Sequence, residues 1–173
     1  EQPDGAHQIG SGGLLEIPEL QARRAPGGTC LAALRSGVVG TTTKPLNDSK
    51  GCGAVMRSAP VGLFLQSPEM LGIIPGDEID ETAFRLGCDI GALTHGHPSG
   101  YLPAGCLALL IARLVDGDNL KEGLACVRAM LKGYEGHKET LAAIDKAVAL
   151  ASNIDISPSP EVIARLGEGW VGE

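Results

Sequence analysis

A row of small residues along one helical segment limits most strongly how this chain can fold. Six residues recur at steps of three and four and so share one face of a predicted helix: Phe84, Gly87, Cys88, Gly91, Ala92 and His95. A glycine costs up to about 1 kcal/mol inside a helix, so two on one face indicate a steric need. The pattern predicts that a second helix packs closely against this face. At the C-terminal end of the face, His95 is most simply explained as a core histidine bonded to a neighbouring carbonyl.

The rest of the chain also predicts helices and no convincing strand. We therefore expect an all-α, compact orthogonal helical domain that covers residues 1–173 as a single unit. The predicted helices span residues 29–37, 53–65, 77–94, 103–117, 119–133, 137–152 and 160–166. Pro60 must kink or split the second of these, and Pro103 is predicted in the first turn of the fourth. Residues 1–28 are predicted as loop and residues 38–45 as an extended connector.

Composition narrows the class of protein. The 173 residues carry a net charge of −7, which argues against a broad nucleic-acid surface. No uncharged apolar run reaches the length of a membrane span, and the first residues lack the pattern of a signal peptide. The five cysteines are scattered and never form a C-x-x-C pair, so a disulfide scaffold or structural zinc site is not expected. The expected location is the cytoplasm.

Two polar, glycine-bearing segments, 47–57 and 94–101, lead directly into predicted helices. Backbone N–H groups of such a loop and of the following helix N-terminus form an anion site, which suits a diphosphate. Lys50 and Arg57 are solvated surface charges by default, but they lie in or beside the first glycine-rich turn. Metal binding by His95 and His97 would need a third ligand that the sequence does not indicate. No G-x-S-x-G motif indicates a serine hydrolase.

The same two segments, N-D-S-K-G-C-G-A-V-M-R-S-A-P and T-H-G-H-P-S-G-Y, carry a family resemblance. In this order and at this separation they resemble the ADP-ribosylglycohydrolase family, which includes ADP-ribosylarginine hydrolase and the dinitrogen reductase activating glycohydrolase. The segments R-A-P-G-G-T-C at 24–30 and G-E-G-W-V-G-E at 167–173 also fit bacterial members. The resemblance spans nearly the whole chain, and the second motif is nearer the arginine-specific branch.

The resemblance implies roles for eleven residues of an ADP-ribose pocket. The first loop would lie along the diphosphate, with Met56 and Arg57 supporting it from the following segment. His95 would face the phosphate or ribose side of the ligand. The residues implied to bind ADP-ribose are Ser49, Lys50, Gly51, Cys52, Gly53, Met56, Arg57, His95, Ser99, Gly100 and Tyr101. Cys52 is interpreted as pocket wall, because the hydrolysis of this family needs no cysteine nucleophile.

The resemblance also implies two magnesium ions, held by carboxylate clusters near both ends of the family fold. Magnesium needs hard oxygen ligands, yet this sequence contains no Asp-Asp pair, and its one Asp-x-Asp, at 116–118, is interpreted as a turn and cap. Residues 153–157 offer one carboxylate where the family pattern needs two. The expectation is therefore a chain that supplies the ADP-ribose pocket without the magnesium ligands, corresponds to the central part of the fold and is inactive alone.

Two classes of function remain open from the sequence. One is a hydrolase that removes ADP-ribose from a protein side chain or a small molecule, and the other is a non-catalytic module that binds a nucleotide or another chain. If the family fold is truncated at both ends, apolar faces should meet water and the chain should self-associate. The faces expected to be exposed are the row from Leu107 to Leu114 and the small-residue face of residues 84–91.

Overall fold

The computed structural model describes residues 13–20, 25–153 and 155–167, and the regular elements within these ranges are helices, with no extended strand. The α-helices are α1 (Gly28–Arg35), α2 (Ala59–Leu65), α3 (Pro68–Leu71), α4 (Ile79–Ala92), α5 (Pro98–Asp116), α6 (Leu120–Leu131), α7 (Lys138–Ala151) and α8 (Pro160–Ala164). Short 3-10 turns cover Gly13–Glu16, Pro18–Leu20, Val55–Arg57 and Gly76–Glu78. The all-α prediction is confirmed. Residues 1–12, Arg24 and residues 168–173, which carried parts of the loop prediction and of the resemblance, lie outside the described residues.

Helices α4 and α5 form the centre of the fold because glycines let their backbones touch. A Cβ atom on Gly87 would lie 2.7 Å from the carbonyl oxygen of Ala104 and 2.8 Å from the Cα atom of Gly105. A Cβ atom on Gly91 would lie 3.0 Å from the Cα atom of Tyr101. The steric need inferred from the sequence is confirmed, and the partner helix is α5. The expectation that the small-residue face meets water is wrong, because α5 covers it.

Helix α5 begins five residues earlier than predicted. Pro98 occupies its first turn, so Pro103 lies inside the helix and not at its start. The imidazole of His97 caps the N-terminus by accepting a hydrogen bond from the N–H of Ser99. Both prolines suit a first turn, and this side-chain cap favours the earlier one. Pro103 then leaves one helical carbonyl, that of Ser99, without its usual donor.

The buried face of α5 also differs from the predicted one. Ala104, Ala108 and Ala112 are fully buried, whereas the predicted row is only partly buried, and Leu114 at its end is exposed. Sequence reasoning assigned the large side chains to the buried face, but helices that approach closely need small side chains there. A Cβ atom on Gly62 of α2, for example, would lie 2.8 Å from the backbone nitrogen of Ala112. The row from Leu107 to Leu114 therefore lies at the edge of the buried face of α5, partly packed and partly exposed to solvent.

Two apolar clusters flank α5 and hold the layers together. One joins α4, α5 and α6 through Phe84, Cys88, Leu102, Cys106, Leu109, Val127 and Leu131. The other joins α2, α4 and α5 through Val61, Leu65, Ile79, Ala83, Ala108 and Ala112. Burial raises the pKa of the Cys106 thiol to about 12, as expected for a cysteine that fills a core. Among the described helices, α5 alone is long and apolar enough to cross a membrane, but more than half of it is buried here, as in a core helix.

Local sequence signals explain most helix boundaries. The segment predicted at 53–65 is split at Ser58, so that Pro60 lies in the first turn of α2. Asn119 and Glu122 form a reciprocal capping box at the start of α6. Gly117 ends α5 with a φ of 111°, a left-handed conformation that favours glycine. These boundaries place segments 47–57 and 94–101 side by side.

Candidate functional site

His95 lies just beyond the C-terminal end of α4 and is almost completely buried, with 2% of its surface exposed. Its Nδ1 atom is 2.7 Å from the hydroxyl oxygen of Thr94. That hydroxyl accepts a hydrogen bond of 2.6 Å from Nη2 of Arg57, so we assign its own proton to a bond with Nδ1. Burial, and next the charge of Arg57, lowers the pKa of His95. His95 is therefore a neutral imidazole whose remaining proton is on Nε2.

Nε2 of His95 faces the backbone of the first glycine-rich segment. Cβ atoms added to Gly51 and to Gly53 would each lie 3.2 Å from Nε2. The side chain of any other residue at these two positions would press on the imidazole, so glycine keeps the space beside Nε2 open. Among the described residues no group forms a hydrogen bond with Nε2. This N–H is therefore a donor without a partner, held in a fixed position.

Arg57 is committed to the end of α4. Its Nη2 atom donates to the carbonyl oxygens of Ile90, at 2.9 Å, and Gly91, at 3.3 Å. Its Nη1 atom donates to the carbonyl oxygen of Gly53 at 3.4 Å. A cation at a helix C-terminus is stabilised by the helix dipole and by the carbonyls left without intrahelical partners. Arg57 thus joins the first segment to α4, and the role that the resemblance implies for it in the ADP-ribose pocket stays a prediction.

The two segments are joined a second time by the side chain of Asn47. Its Nδ2 atom donates to the carbonyl oxygen of Thr94 at 2.9 Å, and its Oδ1 atom accepts from the backbone N–H groups of Gly96, at 3.1 Å, and Ser49, at 3.0 Å. Asn47 belongs to the quoted motif, but sequence reasoning gave it no role. An Asn-Asp-Ser sequence favours this kind of side-chain turn, so a signal was present.

Glycines in the second segment permit the contact. A Cβ atom on Gly96 would collide with the carbonyl oxygen of Asn47 and lie 2.6 Å from the Cβ atom of Pro45. A Cβ atom on Gly100 would meet the carbonyl oxygen of Ser49 and lie 3.1 Å from the Cβ atom of His95. The close backbone approach expected at these glycines therefore serves to pack one segment on the other.

A carboxylate from α7 completes the arrangement. Glu139 accepts a hydrogen bond from Lys50, with 2.5 Å between Nζ and Oε1, and a very short one from the hydroxyl of Ser99 on its other oxygen. The hydrogen bonds from Lys50 and from Ser99 lower the pKa of Glu139. Sequence reasoning missed Glu139, and no local signal pointed to it, because 89 residues separate it from Lys50.

Three of the proposed ligand residues differ from one another in exposure and contacts. Met56 is exposed, with 72% of its surface accessible. The ring of Tyr101 packs against the cluster between α4, α5 and α6, and burial raises the pKa of its hydroxyl. Cys52 is half-buried and free. The structure does not test the ligand roles of these residues, which stay predictions.

The basis proposed for anion binding needs correction. The first segment leads into a three-residue 3-10 turn, Val55–Arg57, and not into an α-helix, so it has no helix N-terminus behind it. At the N-terminus of α5 the imidazole of His97 already occupies the N–H of Ser99, at 3.0 Å. The donor of His95 and the backbone beside it remain for a ligand, whereas Lys50 and Ser99 are both bonded to Glu139.

The described residues do not form a group of metal ligands. Within the described ranges, no three or more His, Cys, Asp or Glu side chains are grouped so that they could hold an ion. The carboxylate clusters that magnesium needs are therefore not found in these ranges. We derive no chemical step through a metal from these residues.

Comparison with known proteins identifies the family of this chain. A sequence model of the family described as ADP-ribosylglycohydrolase matches residues 6–173, which is nearly the whole chain. The chain therefore belongs to the ADP-ribosylglycohydrolase family. Members of this family are metal-dependent in general. No solved structure matches the chain.

Proposed function

We propose that this chain forms the ADP-ribose-binding part of a hydrolase that cleaves the N- or O-glycosidic bond between ADP-ribose and a protein side chain or small molecule. Family membership supports hydrolysis of a glycosidic bond in general. The observation that carries the more specific proposal is the donor of His95. The imidazole is almost completely buried, and its Nε2–H group has no hydrogen-bond partner among the described residues and faces the backbone of Gly51 and Gly53.

The proposed pocket recognises its ligand mainly through neutral donors. His95 carries no charge, and the guanidinium of Arg57 is occupied by carbonyl oxygens. The diphosphate lies along residues 49–53, where glycine permits close approach of the backbone, and a ribose or phosphate oxygen accepts from Nε2 of His95. In this proposal the magnesium ions that the resemblance implies would be held by residues other than those described, and would act as Lewis acids on the substrate.

Calorimetry with ADP-ribose tests this pocket. His95→Ala removes the donor, and a lost hydrogen bond to a charged group is worth about 1.5–3 kcal/mol, so affinity should fall by roughly ten- to a hundred-fold. Asn153→Ala is the control, because this polar side chain accepts from the N–H of Asp155, two residues later, and belongs to neither segment.

Gly51→Val tests the same pocket by steric exclusion. Its side chain would enter the space beside Nε2 of His95, so ADP-ribose affinity should fall in a protein that still folds. Gly76→Val is the control, because a Cβ atom on Gly76 meets nothing within 4 Å. Unchanged affinity in both His95→Ala and Gly51→Val would contradict the proposal.

A second candidate function is a non-catalytic module that binds ADP-ribose. The observation in its favour is that the described residues contain no group of metal ligands. The two functions separate in one assay, in which an ADP-ribosylated protein is incubated with magnesium and the full-length protein that contains this chain. Release of free ADP-ribose identifies the hydrolase, whereas binding of ADP-ribose without release identifies the module.

A further inference from the structure

Glu139 has a bridging position that the proposed pocket does not explain. It lies in the first turn of α7, and its two carboxylate oxygens accept from Lys50 of the first segment and Ser99 of the second. One carboxylate therefore neutralises a lysine and satisfies a hydroxyl at the point where the two segments meet. A phosphate group resembles this carboxylate in that it also carries two acceptor oxygens on one anion.

We infer that Lys50 and Ser99 form a two-donor anion subsite, which Glu139 occupies as an internal stand-in for a ligand phosphate. While Lys50 is paired with Glu139, its charge is not available to a ligand. A phosphate that binds to Lys50 and Ser99 must replace the carboxylate. Glu139 therefore determines which ligands gain affinity from this subsite. This inference rests on the proposed function for the identity of the natural ligand, but not for the existence of the subsite.

Ser99, Lys50 and Glu139 differ in burial, and this difference makes the replacement of Glu139 by a ligand selective. Ser99 is completely buried, whereas the side chains of Lys50 and Glu139 are 39% and 50% exposed. Glu139 can therefore swing into solvent and stay hydrated, but Ser99 cannot. Because a buried hydroxyl without a partner costs free energy, Glu139 is released only to a ligand that supplies another acceptor oxygen. An uncharged ligand without such an oxygen leaves Glu139 in place.

The first test compares Glu139→Gln with the wild-type chain. The amide oxygen can still accept from Ser99, but the charge that holds Lys50 is gone. We expect the affinity for ADP-ribose and for inorganic diphosphate to rise by about two- to five-fold, the range of an exposed ion pair, and the affinity for adenosine to stay the same. Glu135→Gln is the control, because it removes a negative charge four residues earlier in the chain, and Lys50 is bonded to Glu139 and not to Glu135.

The second test is a double-mutant cycle with Lys50→Met. If Glu139 acts by competing for Lys50, Glu139→Gln has no effect on anion affinity once Lys50 is replaced. Circular dichroism at matched concentrations confirms folding of each variant. A fall or no change in diphosphate affinity in Glu139→Gln, or a rise that persists with Lys50→Met, would overturn the inference.

Diphosphate keeps this test separate from that of the proposed function. If the chain binds diphosphate with the expected dependence on Glu139 and does not bind ADP-ribose, the subsite stands and the proposed function fails. If ADP-ribose binding depends on His95 but not on Glu139 and Lys50, the proposed function stands and the subsite inference fails.

Discussion

Asn47→Ala should separate the two segments that form the candidate site. The side chain makes three hydrogen bonds, two of which cross to Thr94 and Gly96. A typical intramolecular hydrogen bond contributes about 0.5–1.5 kcal/mol net, which gives about 1.5–4.5 kcal/mol for three. Asn47 is half-buried, so hydrogen bonds to water replace part of the lost stabilisation. We therefore expect Asn47→Ala to lower the free energy of unfolding by about 2–3 kcal/mol.

Asn153→Ala is a matched control for this substitution. Asn153 makes the same local turn, in which Oδ1 accepts from the N–H two residues later, but no hydrogen bond joins its side chain to a distant described segment. It should cost only about 0.5–1 kcal/mol. Urea unfolding, followed by circular dichroism, measures both values. A loss in Asn47→Ala no larger than that in Asn153→Ala would refute the view that this side chain joins the segments.

Two further predictions concern the helix pair and the histidine. Gly87→Ala should lower the free energy of unfolding by about 1–3 kcal/mol, because its Cβ atom would lie 2.7 Å from a backbone carbonyl oxygen of α5, whereas Gly76→Ala should be nearly neutral in the same urea titration. The pKa of His95 is lower in the folded chain than in the unfolded chain. As the pH falls below about 6.5, the unfolded chain therefore binds the proton first. In that range the free energy of unfolding should fall by up to about 1.4 kcal/mol per pH unit. Thermal unfolding between pH 7.5 and 5 should show a shallower decline in His95→Gln, and an equal decline would contradict a buried neutral imidazole.

The sequence predicted those features that depend on local chemistry or on a strong periodic pattern. The small-residue face of α4, the split at Pro60 and the cap at Asn119 each follow from residues a few positions apart. The convergence of the two glycine-bearing segments came from the family resemblance, and the structure shows the contacts that produce it. Gly96 and Gly100 are the residues that make it possible.

Features that depend on tertiary contacts were not predicted. The buried face of α5 was assigned to large side chains, because periodicity does not reveal that two helices with glycines approach it. The start of α5 was misplaced because two prolines suit a first turn and the imidazole of His97 decides between them. Glu139 reaches the site only because α7 folds back, which leaves no trace in the surrounding sequence.

Amide chemical shifts on addition of ADP-ribose test most directly whether the two segments form the pocket. In an isotope-labelled chain, we expect the largest changes at residues 49–53 and 94–100, with small changes at Gly117 and Gly133 as internal references. The opposite result would be changes concentrated on the apolar groove between α6 and α7, which is lined by Leu120, Leu124, Val148 and Ala151. Such a result would place the ligand away from His95 and contradict the proposed site.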